Sequence, residues 1–114
     1  MKLYLFTYGT LQDETVQQEL FGRKLTGAKD ILSGYKIFPF EITDKEFLFR
    51  CEDKIQMTAV PSEDLSDYIE GSVFEISDEE LQMAEKYEPS EYMCFEAVLD
   101  SGKTARIFAA SEWN

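Results

Sequence analysis

The stretch LFTYGTLQ, residues 5–12, joins an apolar strand to a turn that carries no charge. Residues 2–8 form a near-continuous apolar run, which is typical of a strand covered on both faces. A polar turn would be expected next, but the chain continues through Gly9, Thr10 and Leu11. Glycine permits close approach of a ligand to the backbone, and successive turn amides can donate to a carboxylate or an oxyanion. The pattern indicates either a structural turn or one wall of a binding site.

Length and composition predict a single globular domain over residues 1–114. The chain is 44% hydrophobic and contains nine Phe and six Tyr, which is sufficient for one core. Its 11 basic and 23 acidic residues give a net charge of -12, whose field repels phosphate backbones and anionic lipid headgroups. We therefore expect neither a nucleic acid nor a membrane partner.

The sequence contains no histidine. This excludes Ser-His-Asp and Cys-His catalysis and histidine metal sites, so proton transfer must use carboxylate, Tyr, Lys or Cys. Cys51 and Cys94 lack metal-ligand spacing and lie in strand-like stretches, so we expect buried thiols, with a disulfide between them as the alternative. No metal or cofactor site is predicted. The first residues show no targeting pattern, which favours a cytoplasmic protein.

The order of the remaining elements predicts an α+β fold with a curled or closed sheet. Asp13 can cap a helix that runs to about Leu20. Short strands are predicted next, separated by turn residues that include Gly34 and Pro39, and Gly71 indicates a bulge or a close backbone approach. These strands cover residues 25–38, 47–51, 57–60 and 68–76.

The last third of the chain predicts a second helix and a hairpin. Ser77 and Glu80 have the spacing of a capping box, so a helix should begin there. It should run to about Tyr87, because Pro89 disfavours helical geometry in the residue before it. Residues 91–99 and 104–110 then alternate as the two strands of a hairpin.

Glu88 lies on the helix stripe that is best placed to face the core. Helical residues advance by about 100° each, so Glu88 points within about 20° of Leu81 and follows Ala84 by one turn. A carboxylate that faces an apolar enclosure has a raised pKa, in the range useful for acid–base catalysis. The alternative is that the helix frays at Pro89 and Glu88 points to water.

YGTL at residues 8–11 together with AEKYEPSEYMCFEAV at residues 84–98 resembles the gamma-glutamylcyclotransferase-like family, including its AIG2-like and gamma-glutamylamine cyclotransferase branches. The segment EGSVFEIS, residues 70–77, is similar to the family's segment before the helix. The resemblance implies a small mixed β-barrel with flanking helices. Within the second motif, Glu85, Tyr87, Glu88 and Tyr92 fit the pattern.

The resemblance also implies an activity and its residues. Tyr8, Gly9, Thr10 and Leu11 match the substrate-binding loop, Glu88 matches the catalytic acid/base, and Tyr92 is an accessory candidate. The implied reaction cyclises a γ-glutamyl amine or peptide to 5-oxoproline and releases the amine. It needs no cofactor. The substrate's leaving amine and the oligomeric state are left open.

Two positions depart from the family pattern. Cys94 stands where many members have Arg, and Pro89 stands where a small residue is usual. These departures motivate an alternative, a small-molecule binding module of the same fold without catalysis. A third hypothesis is a protein-interaction domain that uses the acidic surface.

Overall fold

The computed structural model describes residues 3–50, 55–89 and 91–110. Over these residues the chain forms seven strands and three α-helices, which confirms the α+β fold class. The strands are β1 Leu3–Thr7, β2 Thr26–Ser33, β3 Tyr35–Glu41, β4 Ile55–Pro61, β5 Tyr68–Ile76, β6 Tyr92–Val98 and β7 Thr104–Ala110. The helices are α1 Glu14–Phe21, α2 Lys45–Arg50 and α3 Asp78–Tyr87, and a short 3-10 helix, Thr10–Gln12, precedes α1.

A five-stranded mixed sheet with the order β2-β5-β1-β7-β6 forms the centre of the fold. Strand β1 is antiparallel to β5 and parallel to β7. Strands β3 and β4 pair only with each other, as a two-stranded ribbon whose β4 lies against β7. Within the described residues, no backbone ladder joins the ribbon to the central sheet, so the sheets do not form a closed barrel.

The central strand β1 is covered on both faces, as its apolar run predicts. Phe6 packs on one face in a cluster with Leu32 and Ile107. Leu5 packs on the opposite face in a second cluster with Phe108. Complete burial of such a side chain contributes about 1.5–3 kcal/mol. The C-terminal end of β1 is therefore a rigid platform for the residues that follow it.

The predicted caps of α1 and α3 are confirmed. The Asp13 carboxylate accepts a hydrogen bond from the Thr15 N–H at 2.7 Å. At the start of α3, the Glu80 N–H donates to Ser77 Oγ at 3.2 Å and the Ser77 N–H donates to Glu80 Oε1 at 3.0 Å. These reciprocal bonds satisfy amides that a helix leaves without internal partners. They fix where α3 begins.

The strand predicted over residues 47–51 is wrong. The structure has α2, Lys45–Arg50, in that region, and Cys51 lies outside the described residues. The aromatic side chains of this stretch favour a strand locally. Tertiary contacts outweigh that local preference.

The contacts that fix α2 come from distant parts of the chain. The Glu91 carboxylate accepts hydrogen bonds from the backbone N–H groups of Thr43 and Asp44, just before the helix. The Phe47 side chain is buried, with 7% of its surface exposed. One local signal for the helix was missed: Asp44 Oδ1 accepts a hydrogen bond from the Phe47 N–H at 3.4 Å, as an N-cap residue does. The contact with Glu91, 48 residues away, has no corresponding pattern within residues 43–50.

The turn and breaker residues behave in three different ways. Gly34 has a φ of 83° in the turn between β2 and β3, where glycine is favoured. Pro39 was expected between strands but lies inside β3, opposite Met57. A Cβ atom at Gly71 would lie 2.5 Å from the Thr7 carbonyl oxygen, so this glycine allows a close backbone approach. Pairing of β5 with β2 continues through Gly71 without a bulge, whereas its pairing with β1 ends at Ser72.

Candidate active site

A cavity of about 50 Å³ lies at the C-terminal end of β1, enough space for several water-sized groups. It is bounded by the end of β1 and the loop that follows, by the C-terminal end of α3, and by parts of α2, β4, β6 and β7. Its lining residues are Leu5, Phe6, Thr7, Tyr8, Gly9, Thr10, Leu11, Phe47, Gln56, Met57, Tyr87, Glu88, Pro89, Tyr92 and Phe108.

The loop after β1 forms one wall of this cavity. Gly9 has φ -126° and ψ -142° and begins the 3-10 helix, and no side chain caps it. The first N–H groups of a helix have no partner inside the helix. Thr10 and Leu11, whose amides belong to this first turn, both line the cavity. Leu11 is buried, which anchors the loop to the core.

The side chain of Gln17 hydrogen-bonds to the loop that follows β1. Its side chain is 1% exposed, its Nε2 donates to the Leu11 carbonyl oxygen at 2.8 Å, and its Oε1 accepts from the Leu25 N–H at 2.9 Å. Gln17 was not predicted as part of the site. The available signal was a polar side chain three residues before Leu20, on the apolar side of α1.

Glu88 caps the C-terminal end of α3. Its N–H donates to the Ala84 carbonyl oxygen at 3.0 Å, so the last helical turn is intact. Its backbone is extended, with φ -71° and ψ 153°, as expected for a residue before proline, and Pro89 itself is buried. The half-buried Glu88 side chain lines the cavity, so the frayed, solvent-directed alternative does not describe this structure.

The environment of Glu88 favours its neutral form. Burial raises the pKa of the Glu88 carboxyl from 4.5 to about 7. No Lys or Arg lies among the described residues that line the cavity. Because a pKa near 7 leaves both protonation states populated at neutral pH, Glu88 can both accept and donate a proton.

Two of the three tyrosines that line the cavity form hydrogen bonds with backbone atoms through their hydroxyl groups. The Tyr8 hydroxyl donates to the Phe108 carbonyl oxygen at 2.8 Å and accepts from the Ala59 N–H at 3.0 Å. The Tyr92 hydroxyl donates to the Met57 carbonyl oxygen at 2.9 Å. Burial raises the pKa of Tyr8 to about 12 and also raises the pKa of Tyr92. Both side chains are neutral at pH 7, and each has already committed its proton to a carbonyl.

Thr10 connects the loop to the end of α3. Its Oγ1 lies 2.8 Å from the Tyr87 hydroxyl, in a hydrogen bond that either group can donate. Tyr87 directly precedes Glu88, so this bond joins the two sides of the cavity. Tyr87 belongs to the second sequence motif, but its contact with Thr10 could not be predicted, because 77 residues separate the partners.

The structure brings every residue predicted for the site to one cavity. All of Tyr8, Gly9, Thr10, Leu11, Glu88 and Tyr92 line it. The apolar wall residues Phe47, Met57 and Phe108 were missed, since only tertiary packing brings them there.

The structure also bears on what the sequence predicts about metal sites, cysteines and membrane-spanning helices. In the part of the chain that the structure describes, no three Cys, Asp or Glu side chains cluster as metal ligands. Cys94 is a free, half-buried thiol packed against the second apolar cluster, and Cys51 lies outside the described residues. None of the helices in the described ranges has the length and apolar character needed to cross a bilayer.

The sequence matches the family model described as gamma-glutamyl cyclotransferase, AIG2-like, over residues 5–111. The chain belongs to this family. No curated protein sequence matches it. The similarity to the gamma-glutamyl cyclotransferase family therefore rests on the family model and on the fold.

Solved structures share the family fold at low sequence identity. Two solution structures of Arabidopsis thaliana proteins match with TM-scores of 0.71 and 0.76 at 17% and 18% identity. A structure titled gamma-glutamyl cyclotransferase matches with a TM-score of 0.73 at 15% identity. The matches cover 100%, 99% and 100% of this chain but only 65%, 71% and 69% of the other chains. The chain thus spans about two thirds of their length.

Proposed function

We propose that this protein is a gamma-glutamyl cyclotransferase that converts a γ-glutamyl amine or peptide to 5-oxoproline and a free amine. The observation that carries the proposal is the position of Glu88, a carboxyl with a pKa of about 7 in the same small cavity as the Gly9–Leu11 loop. Membership of the family supports the reaction class.

The substrate's own α-amino group would be the nucleophile. The Glu88 carboxylate takes a proton from the α-ammonium group, and the freed nitrogen attacks the γ-carbonyl carbon. A five-membered ring with an oxyanion results. Because both reacting groups belong to one molecule, holding the glutamyl chain folded supplies much of the rate enhancement. A small cavity closed by apolar side chains suits this task.

Collapse of the ring intermediate would use the same carboxyl group. Protonated Glu88 gives its proton to the leaving nitrogen, and the bond from the γ-carbon to that nitrogen breaks as the oxyanion re-forms the carbonyl group. The ring nitrogen still carries one proton more than the lactam, so the Glu88 carboxylate takes that proton and passes it to the departing amine, which leaves as an ammonium ion. The carboxylate is thereby regenerated. The Thr10 and Leu11 amides would donate to the substrate carboxylate or to the oxyanion. Tyr8 and Tyr92 contribute their rings to the cavity wall.

The departures from the family pattern do not disturb this arrangement. Pro89 fixes the extended backbone of Glu88 and closes the cavity beside it. Cys94 packs in the second apolar cluster and is not among the lining residues. Neither observation favours the non-catalytic alternative, which remains an outcome of the experiment below.

The direct test is release of 5-oxoproline from a panel of γ-glutamyl amines and dipeptides. Wild-type protein should release it from at least one member, and Glu88→Gln should reduce kcat by at least about a hundredfold, as for loss of a general acid–base. Glu79→Gln is the matched control, because Glu79 is an exposed carboxylate on the same helix.

Three results would count against the proposal. If Glu88→Gln turned over substrate as fast as the wild type, Glu88 would have no acid–base role. If no panel member were turned over but γ-glutamyl compounds raised the melting temperature, the chain would be a binding module. If nothing bound, the cavity would not be a γ-glutamyl site.

A further inference from the structure

The ribbon strand β4 lies beside the cavity, yet no strand pairs with its outer edge in the described part of the fold. An unpaired strand edge presents N–H and C=O groups that must find other partners when they are shielded from water. Here the hydroxyl groups of two tyrosines meet that edge. Tyr8 accepts from the Ala59 N–H at 3.0 Å, and Tyr92 donates to the Met57 carbonyl oxygen at 2.9 Å.

A third bond lies between these two. The Thr58 side chain is fully buried, and its Oγ1 accepts from the Ala110 N–H at the end of β7 at 2.8 Å. Three consecutive residues of β4 are thus attached to the central sheet through side-chain oxygens. We call this group, Tyr8, Tyr92 and Thr58 with the β4 edge, the tyrosine seam.

The tyrosine seam borders the carboxyl group of Glu88. Tyr8, Tyr92 and Met57 line the same cavity as Glu88, together with Phe47 of α2. The other titratable groups among the described residues that line this cavity are three tyrosines, namely Tyr8 directly after β1, Tyr92 from β6 and Tyr87 from the same helix as Glu88. Apart from Glu88 itself, no charged side chain lies among the described lining residues. Exclusion of water is therefore what makes the environment of Glu88 differ from that of a surface carboxylate.

From these bonds we infer that Tyr8 and Tyr92 are positioning residues, which hold β4 over the cavity and so keep water away from Glu88. Neither hydroxyl needs to contact substrate for this role. The inference rests on the proposed function for its relevance to catalysis. The seam itself can be tested without any substrate, because the Glu88 carboxyl and the β4 amides report on it directly.

A direct role for the hydroxyl groups makes the opposite prediction. A hydroxyl that donated to the Glu88 carboxylate would favour the charged form, and its removal would raise the pKa of Glu88. Loss of a positioning hydroxyl leaves the Phe108 or Met57 carbonyl without its donor and admits water. Hydration favours the charged form, so the pKa of Glu88 would fall.

The experiment compares Tyr8→Phe, Tyr92→Phe and the double variant with wild type. The Glu88 carboxyl carbon is titrated by 13C NMR, with Glu88→Gln to assign its signal. In the double variant the pKa should fall from about 7 by at least about one unit. Tyr68→Phe is the control, because the Tyr68 side chain is exposed and lies outside the seam.

Amide hydrogen exchange supplies a second measurement. In Tyr92→Phe the Ala59 N–H keeps its own acceptor, Tyr8, so faster exchange at Ala59 reports movement of the strand. We expect acceleration of about tenfold or more at Ala59, while the Phe6 amide of β1 stays protected. If the Phe6 amide also lost protection in the double variant, that variant would be unfolding as a whole. The pKa of Glu88 and the exchange at Ala59 would then be compared in the single variants.

The inference is overturned by any of three outcomes. The pKa of Glu88 could rise, which would indicate direct donation by a hydroxyl. It could stay unchanged while Ala59 exchange accelerates, which would separate the seam from Glu88. Both measurements could stay at wild-type values. Failure of the wild type to release 5-oxoproline would instead contradict the proposed function and leave these two measurements to decide the seam.

Discussion

Thr10 Oγ1 and the Tyr87 hydroxyl lie 2.8 Å apart, and their hydrogen bond joins the Gly9–Leu11 loop to the residue before Glu88. The partners come from opposite sides of the cavity and are 77 residues apart in the chain. This bond sets the distance between the proposed anchoring amides and the proposed acid–base group.

We therefore predict coupled effects of Thr10→Val and Tyr87→Phe. Each change removes one hydrogen bond of about 1 kcal/mol, so each should raise KM about fivefold with a smaller change in kcat. The double variant should be no worse than the more damaged single variant, because both remove the same contact. Steady-state kinetics on the best panel substrate measures this. Fully additive effects would show that the bond does not link the two sides.

Glu88 should make the folded protein less stable as the pH rises. Its folded pKa of about 7 exceeds the ordinary 4.5, so the unfolded chain releases this proton first as pH rises. The wild type then loses stability between pH 4.5 and 7, by roughly 2–3 kcal/mol. Glu88→Gln has no such loss, so its stability relative to wild type should increase over that interval.

Urea unfolding at pH 5 and pH 8 tests this prediction. The free energy difference between Glu88→Gln and wild type should shift in favour of the variant at pH 8. Glu79→Gln should show no such shift, because Glu79 is exposed. Parallel pH profiles for Glu88→Gln and wild type would indicate that Glu88 is hydrated in solution.

The buried side chain of Gln17 should contribute both to stability and to substrate binding. Gln17→Met keeps the side-chain length but leaves the Leu11 carbonyl and the Leu25 N–H buried without partners. Unfolding free energy should fall by about 2–3 kcal/mol, and KM should rise because the loop is released. Gln18→Met, on the exposed side of α1, is the control. Equal effects of the two changes in chemical denaturation and kinetics would contradict this role.

Glu80 should contribute to stability through Arg23. Arg23 Nε and Nη2 lie 2.7 and 2.8 Å from the two carboxylate oxygens of Glu80, whose side chain is 11% exposed. Glu80→Gln should cost about 1–2 kcal/mol at pH 7. The exposed Lys24–Glu14 pair offers the control, and Glu14→Gln should change stability little.

The contribution of Glu80 should also depend on pH. The Arg23 guanidinium holds the pKa of the Glu80 carboxyl below its usual range. A carboxyl whose folded pKa is lowered stabilises the fold above its unfolded pKa and loses that effect as pH falls through the folded value. The free energy of unfolding should therefore fall less steeply with decreasing pH in Glu80→Gln than in the wild type. The same pH dependence in both proteins at acid pH would show that water separates Arg23 from Glu80 in solution.

Local patterns predicted much of the frame of this protein. The capping box at Ser77 and the stop before Pro89 fixed α3, because both signals act within one turn of the helix. The apolar run before Gly9 predicted a doubly covered strand for the same reason. The resemblance to a family then paired the Gly9–Leu11 loop with Glu88, which lie far apart in sequence.

What could not be predicted depends on partners far along the chain. Asp44 is a local N-cap signal for helix α2, but the Glu91 contact before that helix has no local signal. The tyrosine contacts of the β4 edge have none either. The same applies to Gln17, whose buried amide has a purpose only when Leu11 and Leu25 are in place. Sequence spacing carries no information about such contacts.

Pro89 has a consequence for the entropy of the site. A glutamate at the end of an ordinary helix can exchange between helical and extended backbone conformations, and a ligand would have to select one of them. Proline removes the helical choice for Glu88 before any substrate arrives. The backbone entropy of Glu88 is thus lost during folding, so ordering that backbone adds no cost to binding or to ring closure.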